Sequence, residues 1–183
     1  KIILALFQAF NNKLEKIQLQ KLLFLLTSRQ TKPDYDFVPY LYGCYSFSAT
    51  ADLGAMIRNG NISEDKNHFV SLEKTNYIAT LTTDDQRILK EIKSSFGNLG
   101  ANALMKYTYL HHGYYAINSI TAKNILSSHE YKKVESGKPS NEITALYTIG
   151  YEGTSLESYL NKLVKNDIKV LVDDRRNPLS MKF

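Results

Sequence analysis

Cysteine is nearly absent from this chain of 183 residues, in which Cys44 is the one thiol. A single cysteine cannot form an intrachain disulfide. It also excludes sites that need several thiolates, such as a four-cysteine zinc site or an iron–sulfur cluster. A chain without disulfide pairs is typical of a reducing compartment, so the sequence predicts a cytoplasmic protein. No pattern of metal-ligand spacing occurs, because the adjacent His111 and His112 would point in different directions on a helix. We therefore expect neither a metal nor a cofactor.

Long hydrophobic runs are also missing. A membrane-spanning helix needs about 20 consecutive apolar residues, and the apolar runs here are far shorter, so no membrane association is expected. No basic segment precedes an apolar stretch of signal-peptide length. The chain begins at Lys1 inside an apolar helical pattern and ends at Phe183 soon after a strand-like run. We therefore interpret it as part of a longer protein.

The composition is that of a folded protein with a small excess of positive charge. Hydrophobic residues make up 43% of the chain and charged residues 22%, which excludes wholesale disorder. The length fits one ordinary domain or two small ones. The net charge is +5, and the excess lies before residue 141, whereas residues 141–183 are balanced. This asymmetry indicates two parts with different partners.

Residues 1–82 have the element order of a winged-helix-like α+β domain. A short apolar helix is followed by a helix over 16–29, an extended segment at 37–42 that contains Pro39, and a helix capped by Ser46. Residues 69–72 and 77–81 are predicted to form the two strands of a small hairpin. This order is typical of domains that bind nucleic acid or protein, and the pattern alone leaves both open. The basic residues that would bind nucleic acid are Lys16, Lys21, Arg29 and Arg58, the first three of which can point outward.

Residues 83–128 are predicted to be a helical extension, and residues 129–143 a polar linker that carries glycine and proline. The extension contains a tyrosine-rich segment at 107–115. These rings could stack on bases, although packing between domains is the interpretation that we favour.

Residues 144–183 contain the sharpest signal in the sequence. A β-rich run at 145–150 is followed by a helix beginning at Thr154 or Ser155 and by an apolar run at 168–172. Strand, helix and buried strand in this spacing predict a βαβ unit, and hence the start of an α/β domain with a parallel sheet that is incomplete in this chain. The predicted fold class is therefore mixed, with a winged-helix-like and helical part before this unit.

Polar residues follow both predicted strands, where open parallel sheets bind ligands. Gly150 and Gly153 would let a ligand approach the backbone at a helix N-terminus, which favours anions. In the second loop, Asp173 can act as a base or an orienting group, and Arg175 and Arg176 can clamp a phosphate or carboxylate. An internal Asp–Arg ion pair that only fixes the loop is the alternative. No dinucleotide or Walker fingerprint occurs.

The stretches Tyr-Thr-Ile-Gly-Tyr-Glu-Gly at 147–153 and Val-Asp-Asp-Arg-Arg-Asn-Pro-Leu-Ser at 172–180 resemble the opening motifs of the domain-of-unknown-function 488 (DUF488) family. The resemblance covers about residues 145–183, the first third or so of that family's domain. It implies an α/β fold. The catalytic candidates are Asp173, Arg175 and Ser180, and the ligand-binding candidates are Thr148 and Gly150, together with Gly153 and Arg176 from the two loops. Asp174 departs from the family pattern, in which an apolar residue is more usual. The set that matches the motif itself is Thr148, Gly150, Asp173, Arg175, Pro178 and Ser180.

A second, looser resemblance lies in the first part. Leu-Gln-Lys-Leu-Leu-Phe at 19–24 together with Tyr-Gly-Cys-Tyr-Ser at 42–46 is similar to SocA-like (Panacea) antitoxin domains. Three functions follow as hypotheses. The first is an enzyme associated with DNA, RNA or a nucleotide, whose α/β part acts on a nucleotide or another anionic small molecule. The second is a non-catalytic regulator or antitoxin-like module that binds DNA or protein and senses a ligand through its α/β part. The third is a stress or defence protein that works mainly through protein contacts, which the small net charge leaves open. The sequence does not decide between them or predict an oligomeric state.

Overall fold

The apolar residues at helical spacing near the start of the chain form the central helices of the fold. The computed structural model describes residues 1–173. Helix α1 spans Ile2–Ala9, α2 spans Lys16–Thr27 and α3 spans Phe47–Arg58. The apolar side chains of α1 and α2 are almost wholly buried, whereas α3 buries only Ala49 and Leu53. Helices α1 and α2 therefore lie in the core, and most of α3 remains at the surface.

A three-stranded antiparallel sheet lies beside these helices, in the order β1-β5-β4. Strand β1 spans Lys13–Glu15, β4 spans Ile62–Glu64 and β5 spans His68–Ser71. The carboxylate of Asp65 accepts hydrogen bonds from the backbone N–H groups of Asn67 and His68 at 2.8 and 2.7 Å, which closes the β4–β5 turn.

The hairpin predicted from 69–72 and 77–81 is therefore wrong in its pairing. The strand at 69–72 is present within one residue as β5, but its partner precedes it in sequence. Residues Ile78–Thr80 form a 3₁₀ turn instead of a strand. The Gln8 side chain fixes this turn, because its carbonyl oxygen accepts from the N–H groups of Tyr77 and Ile78. That contact is made across the fold and leaves no local pattern.

A second antiparallel hairpin joins α2 to α3. Strand β2 (Val38–Tyr40) pairs with β3 (Gly43–Tyr45) through a two-residue turn at Leu41 and Tyr42. Gly43 has φ +92° and stands against the ring of Tyr109, so a side chain there would be both strained and crowded. The extended segment predicted around Pro39 is thus confirmed as a strand of a small hairpin.

The following residues are helical. The helices are α4 (Thr83–Phe96), α5 (Ala101–His111), α6 (Ala122–Ile125) and α7 (Ser128–Ser136), with a 3₁₀ turn at Gly113–Ala116 between α5 and α6. Helix α4 is capped by Thr82 and buries the apolar side chains of Ile88, Leu89, Ile92 and Phe96 on one face. Helix α7 lies within the predicted 129–143 linker. Ser127 and Glu130 form a reciprocal capping box there, and Val134 packs inward, so the irregular segment begins only after α7.

Helix α8 spans Leu156–Lys165 and is capped by Ser155, as the sequence predicts. The segments 145–150 and 168–172 on either side of it form no strand, and every strand pair in residues 1–173 is antiparallel. An isolated extended segment has no neighbour for its backbone hydrogen bonds. The expectation of a parallel sheet is therefore not confirmed. Within residues 1–173, no helix is both long and apolar enough to cross a membrane.

Candidate functional site: the aromatic hairpin and the start of helix α3

The outward face of the β2–β3 hairpin carries a cluster of aromatic rings. Tyr40, Tyr45 and Phe47 lie with ring centroids 5.0–5.5 Å apart, in tilted and edge-to-face arrangements. Tyr40 is 41% exposed, and the turn residues Leu41 and Tyr42 are 43% and 44% exposed. Large exposed aromatic side chains with polar tips are typical of protein–protein interfaces. We name these five residues the aromatic hairpin.

The opposite face of the hairpin is anchored in the core by a buried lysine. The ammonium of Lys21, which is 2% exposed, donates a hydrogen bond of 2.8 Å to the carbonyl oxygen of Cys44. Burial lowers the pKa of Lys21, and burial also raises the pKa of the Cys44 thiol. Cys44 stands opposite Pro39 in the hairpin, and Lys21 donates to its carbonyl oxygen from the side of α2. The hairpin is thereby held in one position against α2.

The first turn of α3 lies next to the aromatic hairpin and is capped twice. The Ser46 hydroxyl accepts a hydrogen bond from the N–H of Ala49, while the carboxylate of Glu157 in α8 accepts from the N–H of Ser48 at 2.7 Å. The hydroxyls of Ser46 and Ser48 also donate to Glu157, at 3.1 and 2.9 Å. Glu157 has no exposed surface, so three donors, the two hydroxyls and the N–H of Ser48, surround a buried carboxylate.

Helix α8 makes further polar contacts beside this carboxylate. The Ser155 hydroxyl donates to Asp36 at 2.7 Å, and the Asn161 side chain donates to the carbonyl oxygen of Phe37 at 2.7 Å. The Tyr114 hydroxyl donates to Asn161 at 2.7 Å. Helix α8 thus lies across the start of β2 and the N-terminus of α3. Except for the contact of Tyr114, these hydrogen bonds join residues that are more than 100 positions apart in the sequence. No sequence pattern predicts them.

The four candidate nucleic-acid-binding residues do not form a basic surface. The prediction that Lys21 points outward is wrong, because its side chain fills the core between α2 and the hairpin. Lys16 pairs with Glu64 and lies over the ring of Phe69. Arg29 lies 3.9 Å from Glu91. Arg58 is exposed at the end of α3, with no ion pair among residues 1–173.

The surface of α3 and the β4–β5 turn carries acidic residues among its bases. Asp52 on α3 accepts a hydrogen bond of 2.6 Å from the Tyr35 hydroxyl, and burial together with Asp52 raises the pKa of Tyr35. Glu64 and Asp65 lie on the β4–β5 hairpin, beside Lys66. Proteins that bind the nucleic-acid backbone need an excess of exposed Lys and Arg, which this surface lacks.

Only some of the catalytic and ligand-binding candidates of residues 144–183 lie within the described residues. Thr148 and Gly150 are exposed and lie in no strand, and Gly153 has φ +66° in the turn before α8. Asp173 is exposed. Arg175, Arg176 and Ser180 lie outside the described residues, so whether they meet Asp173 stays a prediction. Asp174 and Pro178 lie outside them as well.

The tyrosine-rich segment packs inside the fold. Tyr109 is buried and its hydroxyl lies 2.7 Å from that of Ser119, while Tyr115 packs edge-on against Phe24 at 4.7 Å. Tyr107 stacks on His111 at 4.0 Å. Burial lowers the pKa of His112, and His111 and Arg29 lower it further. These rings pack against neighbouring elements of the fold, whereas the interpretation that they pack between domains stays a prediction. Among residues 1–173, no group of histidine, cysteine and carboxylate side chains is arranged to hold a metal ion.

The chain matches no protein-family model and no curated protein. The functional argument therefore rests on the geometry of the aromatic hairpin and of the α3 N-terminus. The sequence predicted the Ser46 cap and the helix that carries Glu157, but not the contact between Ser46 and Glu157. The density of aromatic residues between Phe37 and Phe47 is the sequence signal that could have found this surface.

Proposed function

We propose that this chain is a regulatory module that binds a protein partner through the aromatic hairpin and the adjoining start of α3. The observation that carries the proposal is the ring cluster of Tyr40, Tyr45 and Phe47, with Leu41 and Tyr42 exposed at its tip. Lys21 holds this surface rigid from below. A rigid aromatic patch loses little conformational entropy on binding, which favours association with another protein.

We also propose that residues 1–82 are a winged-helix-type domain used for protein contact. The order α1, β1, α2, α3, β4, β5 and the sheet order β1-β5-β4 support this assignment. So does the resemblance of residues 19–24 and 42–46 to antitoxin domains, which includes Tyr42 and Tyr45 of the aromatic hairpin.

The segment from residue 144 onward is proposed as the start of a DUF488-like α/β domain that senses an anionic small molecule. The Ser155-capped helix and the positive φ of Gly153 just before it support this proposal, because such a turn presents backbone N–H groups to an anion. Asp173 and the neighbouring arginines would contribute charged groups to the same site. An isothermal titration with inorganic phosphate and with nucleotides tests it, and heat of binding that vanishes in Asp173→Ala and Arg175→Ala variants is the expected result.

A nucleic-acid partner is the less supported alternative. Of the four basic candidates, one is buried and two lie against carboxylates. Phosphate contacts by Lys and Arg supply most of the non-specific affinity for DNA, and Arg58 alone cannot provide it.

Site-specific crosslinking tests the protein-binding proposal. A photo-crosslinking amino acid placed at Tyr42 should capture a defined partner in cells, whereas the same group at the exposed Lys90 of α4 should not. Binding of the purified partner should then weaken by roughly tenfold or more in Tyr40→Ala, since interface tyrosines often carry much of the binding energy. Equal capture from both positions, or unchanged affinity of Tyr40→Ala, would contradict the proposal.

A further inference from the structure

We propose that α8 is an intramolecular ligand that occupies the binding groove of a partner protein. This groove lies at the N-terminus of α3 and binds a partner helix that carries a carboxylate in its first turn. This inference rests on the proposed protein-binding function and deepens it, because it names the shape and charge of the partner segment. The groove is formed by the first turn of α3, residues 36–38 and Tyr114.

The receiving site for the carboxylate is built from groups of the first part of the chain. Ser48 offers its N–H and its hydroxyl, and Ser46 offers its hydroxyl, all within 3.1 Å of Glu157. The N–H of Ser48 belongs to the first turn of α3 and has no acceptor within that helix. A buried carboxylate is costly unless it accepts hydrogen bonds, and Glu157 accepts three at Oε1 and one at Oε2.

The electrostatics of the groove select an acidic helix start. Glu157 lies in the first turn of α8 and also at the first turn of α3, so its negative charge faces the positive ends of two helix dipoles. A helix that presented a lysine or an apolar residue here would leave the buried hydroxyl of Ser46 without this acceptor, which is unfavourable.

The remainder of α8 is held less tightly than this anchor. Glu157 is the only buried residue of the helix, and Leu156 beside it is 46% exposed. Residues 138–154, which connect α7 to α8, contain no helix or strand. A helix on such a tether behaves as an intramolecular ligand with an effective concentration on the order of millimolar, so a partner helix must compete with it.

The partner segment is therefore the N-terminal end of an amphipathic helix. It has a serine, threonine or aspartate cap, a carboxylate two positions later as in Ser155 and Glu157, and an amide side chain one turn further on, as in Asn161. Such a helix would displace α8 and contact the aromatic hairpin alongside it.

Hydrogen exchange of the full chain tests whether Glu157 is the anchor. In a Glu157→Ala variant, the amides of α8 and the N–H of Ser48 should exchange roughly tenfold faster or more than in the wild-type chain, because removing the acceptor frees both. The control is Glu152→Gln, which changes an exposed acid in the tether and should leave both rates unchanged. Melting curves of all variants establish that the fold persists. Unaltered protection of α8 in Glu157→Ala would overturn the proposal.

A peptide with the sequence of residues 153–167 tests whether the groove accepts a helix from outside. The labelled peptide should bind the full-length Glu157→Ala chain at least about tenfold more tightly than the wild-type chain, in which the tethered α8 competes. The same peptide with alanine at the Glu157 position should bind neither. In a Glu157→Ala, Ser48→Ala double variant, the affinity gain should shrink, because one donor of the groove is missing.

Equal binding of the peptide to wild type and variant, or no binding to a variant whose α8 is released, would overturn the inference. These readouts do not depend on the natural partner. Failure of the crosslinking experiment at Tyr42 with success of the peptide experiment would instead overturn the proposed function and leave the groove standing as an intramolecular contact.

Discussion

At the scale of single residues, the most informative side chain is Lys21. A lysine on a helix with a broad apolar stripe is ordinarily a surface residue, and the sequence offers no sign that it is buried. Its burial follows from the hairpin, which brings the carbonyl of Cys44 over α2 and excludes water. The same contact explains why Gly43 must be small, because the ring of Tyr109 and the Lys21 ammonium both lie against it.

Because of Lys21, we expect the free energy of unfolding to change with pH in the alkaline range. Its pKa is lowered from the ordinary value of 10.5, so the unfolded chain holds this proton more tightly than the folded chain. Burying the charged ammonium lowers the free energy of unfolding, and this loss is complete at pH values below the lowered pKa. As the pH rises towards 10.5 the loss is recovered, by about 1.4 kcal/mol for each unit by which the pKa is lowered. The free energy of unfolding of the wild type should therefore rise relative to that of Lys21→Met over this window.

Urea titrations at neutral and alkaline pH measure this difference. Lys90→Met, at an exposed position, is the control and should parallel the wild type. The raised pKa of Cys44 lowers stability with rising pH in all three proteins and does not reverse the comparison. Parallel curves for wild type and Lys21→Met would show that Lys21 is not buried as an ammonium.

A second residue-scale prediction concerns Gly43. An alanine there would place its Cβ 2.6 Å from Cε1 of Tyr109 at a φ of +92°. We expect Gly43→Ala to lower the free energy of unfolding by roughly 1–3 kcal/mol, from strain and crowding together. Gly113→Ala is the matched control, since nothing lies within 4 Å of its added Cβ and its φ is not positive. Equal denaturation midpoints for the two variants would contradict the account.

At the scale of elements, the sequence predicted helices better than strand pairing. The helices α2, α3, α4 and α8 follow from apolar spacing and from caps such as Ser46 and Ser155, which act within a few residues. The β4–β5 pairing and the docking of α8 depend on contacts made across the fold, such as those of Gln8 and Glu157. Those contacts leave no local periodicity, and this is why the hairpin was misplaced and the candidate site was not found.

Helix α7 was missed although its capping box is visible in the sequence at Ser127 and Glu130. Polar composition and Gly137 suggested a linker, but the local hydrogen bonds suffice to start a helix. Ser127→Ala should cost about 1 kcal/mol of local helix stability. Amides of residues 130–136 should then exchange severalfold faster, with the rest of the fold unaffected because α7 buries only Val134. His129→Ala, which removes no cap, is the control, and uniform change across the chain would contradict this local effect.

At the scale of the whole molecule, the two parts are joined by an irregular segment yet meet at one buried carboxylate. A glutamate-specific protease should therefore cut after the exposed Glu142 and Glu152 before it cuts after the buried Glu157. Mass spectrometry of the first fragments measures this order. Early cleavage after Glu157, or after Glu130 in α7, would show that α8 or α7 is not ordered as described.

The four bases that the sequence offered for nucleic acid do not form one basic surface. The net charge is +5, but the bases that the sequence offered for nucleic acid are buried or lie beside carboxylates, apart from Arg58. The exposed rings of the aromatic hairpin are the more distinctive surface.

The central claim is that this chain binds a protein and not a nucleic acid. Fluorescence anisotropy tests it most directly, with labelled duplex and single-stranded DNA and RNA titrated with the full chain over a range of salt concentrations. The account predicts no more than weak binding at low salt, unaffected by Arg58→Gln. Tight binding whose logarithm falls steeply with the logarithm of the salt concentration, and which Arg58→Gln weakens, would contradict it and restore a nucleic-acid partner.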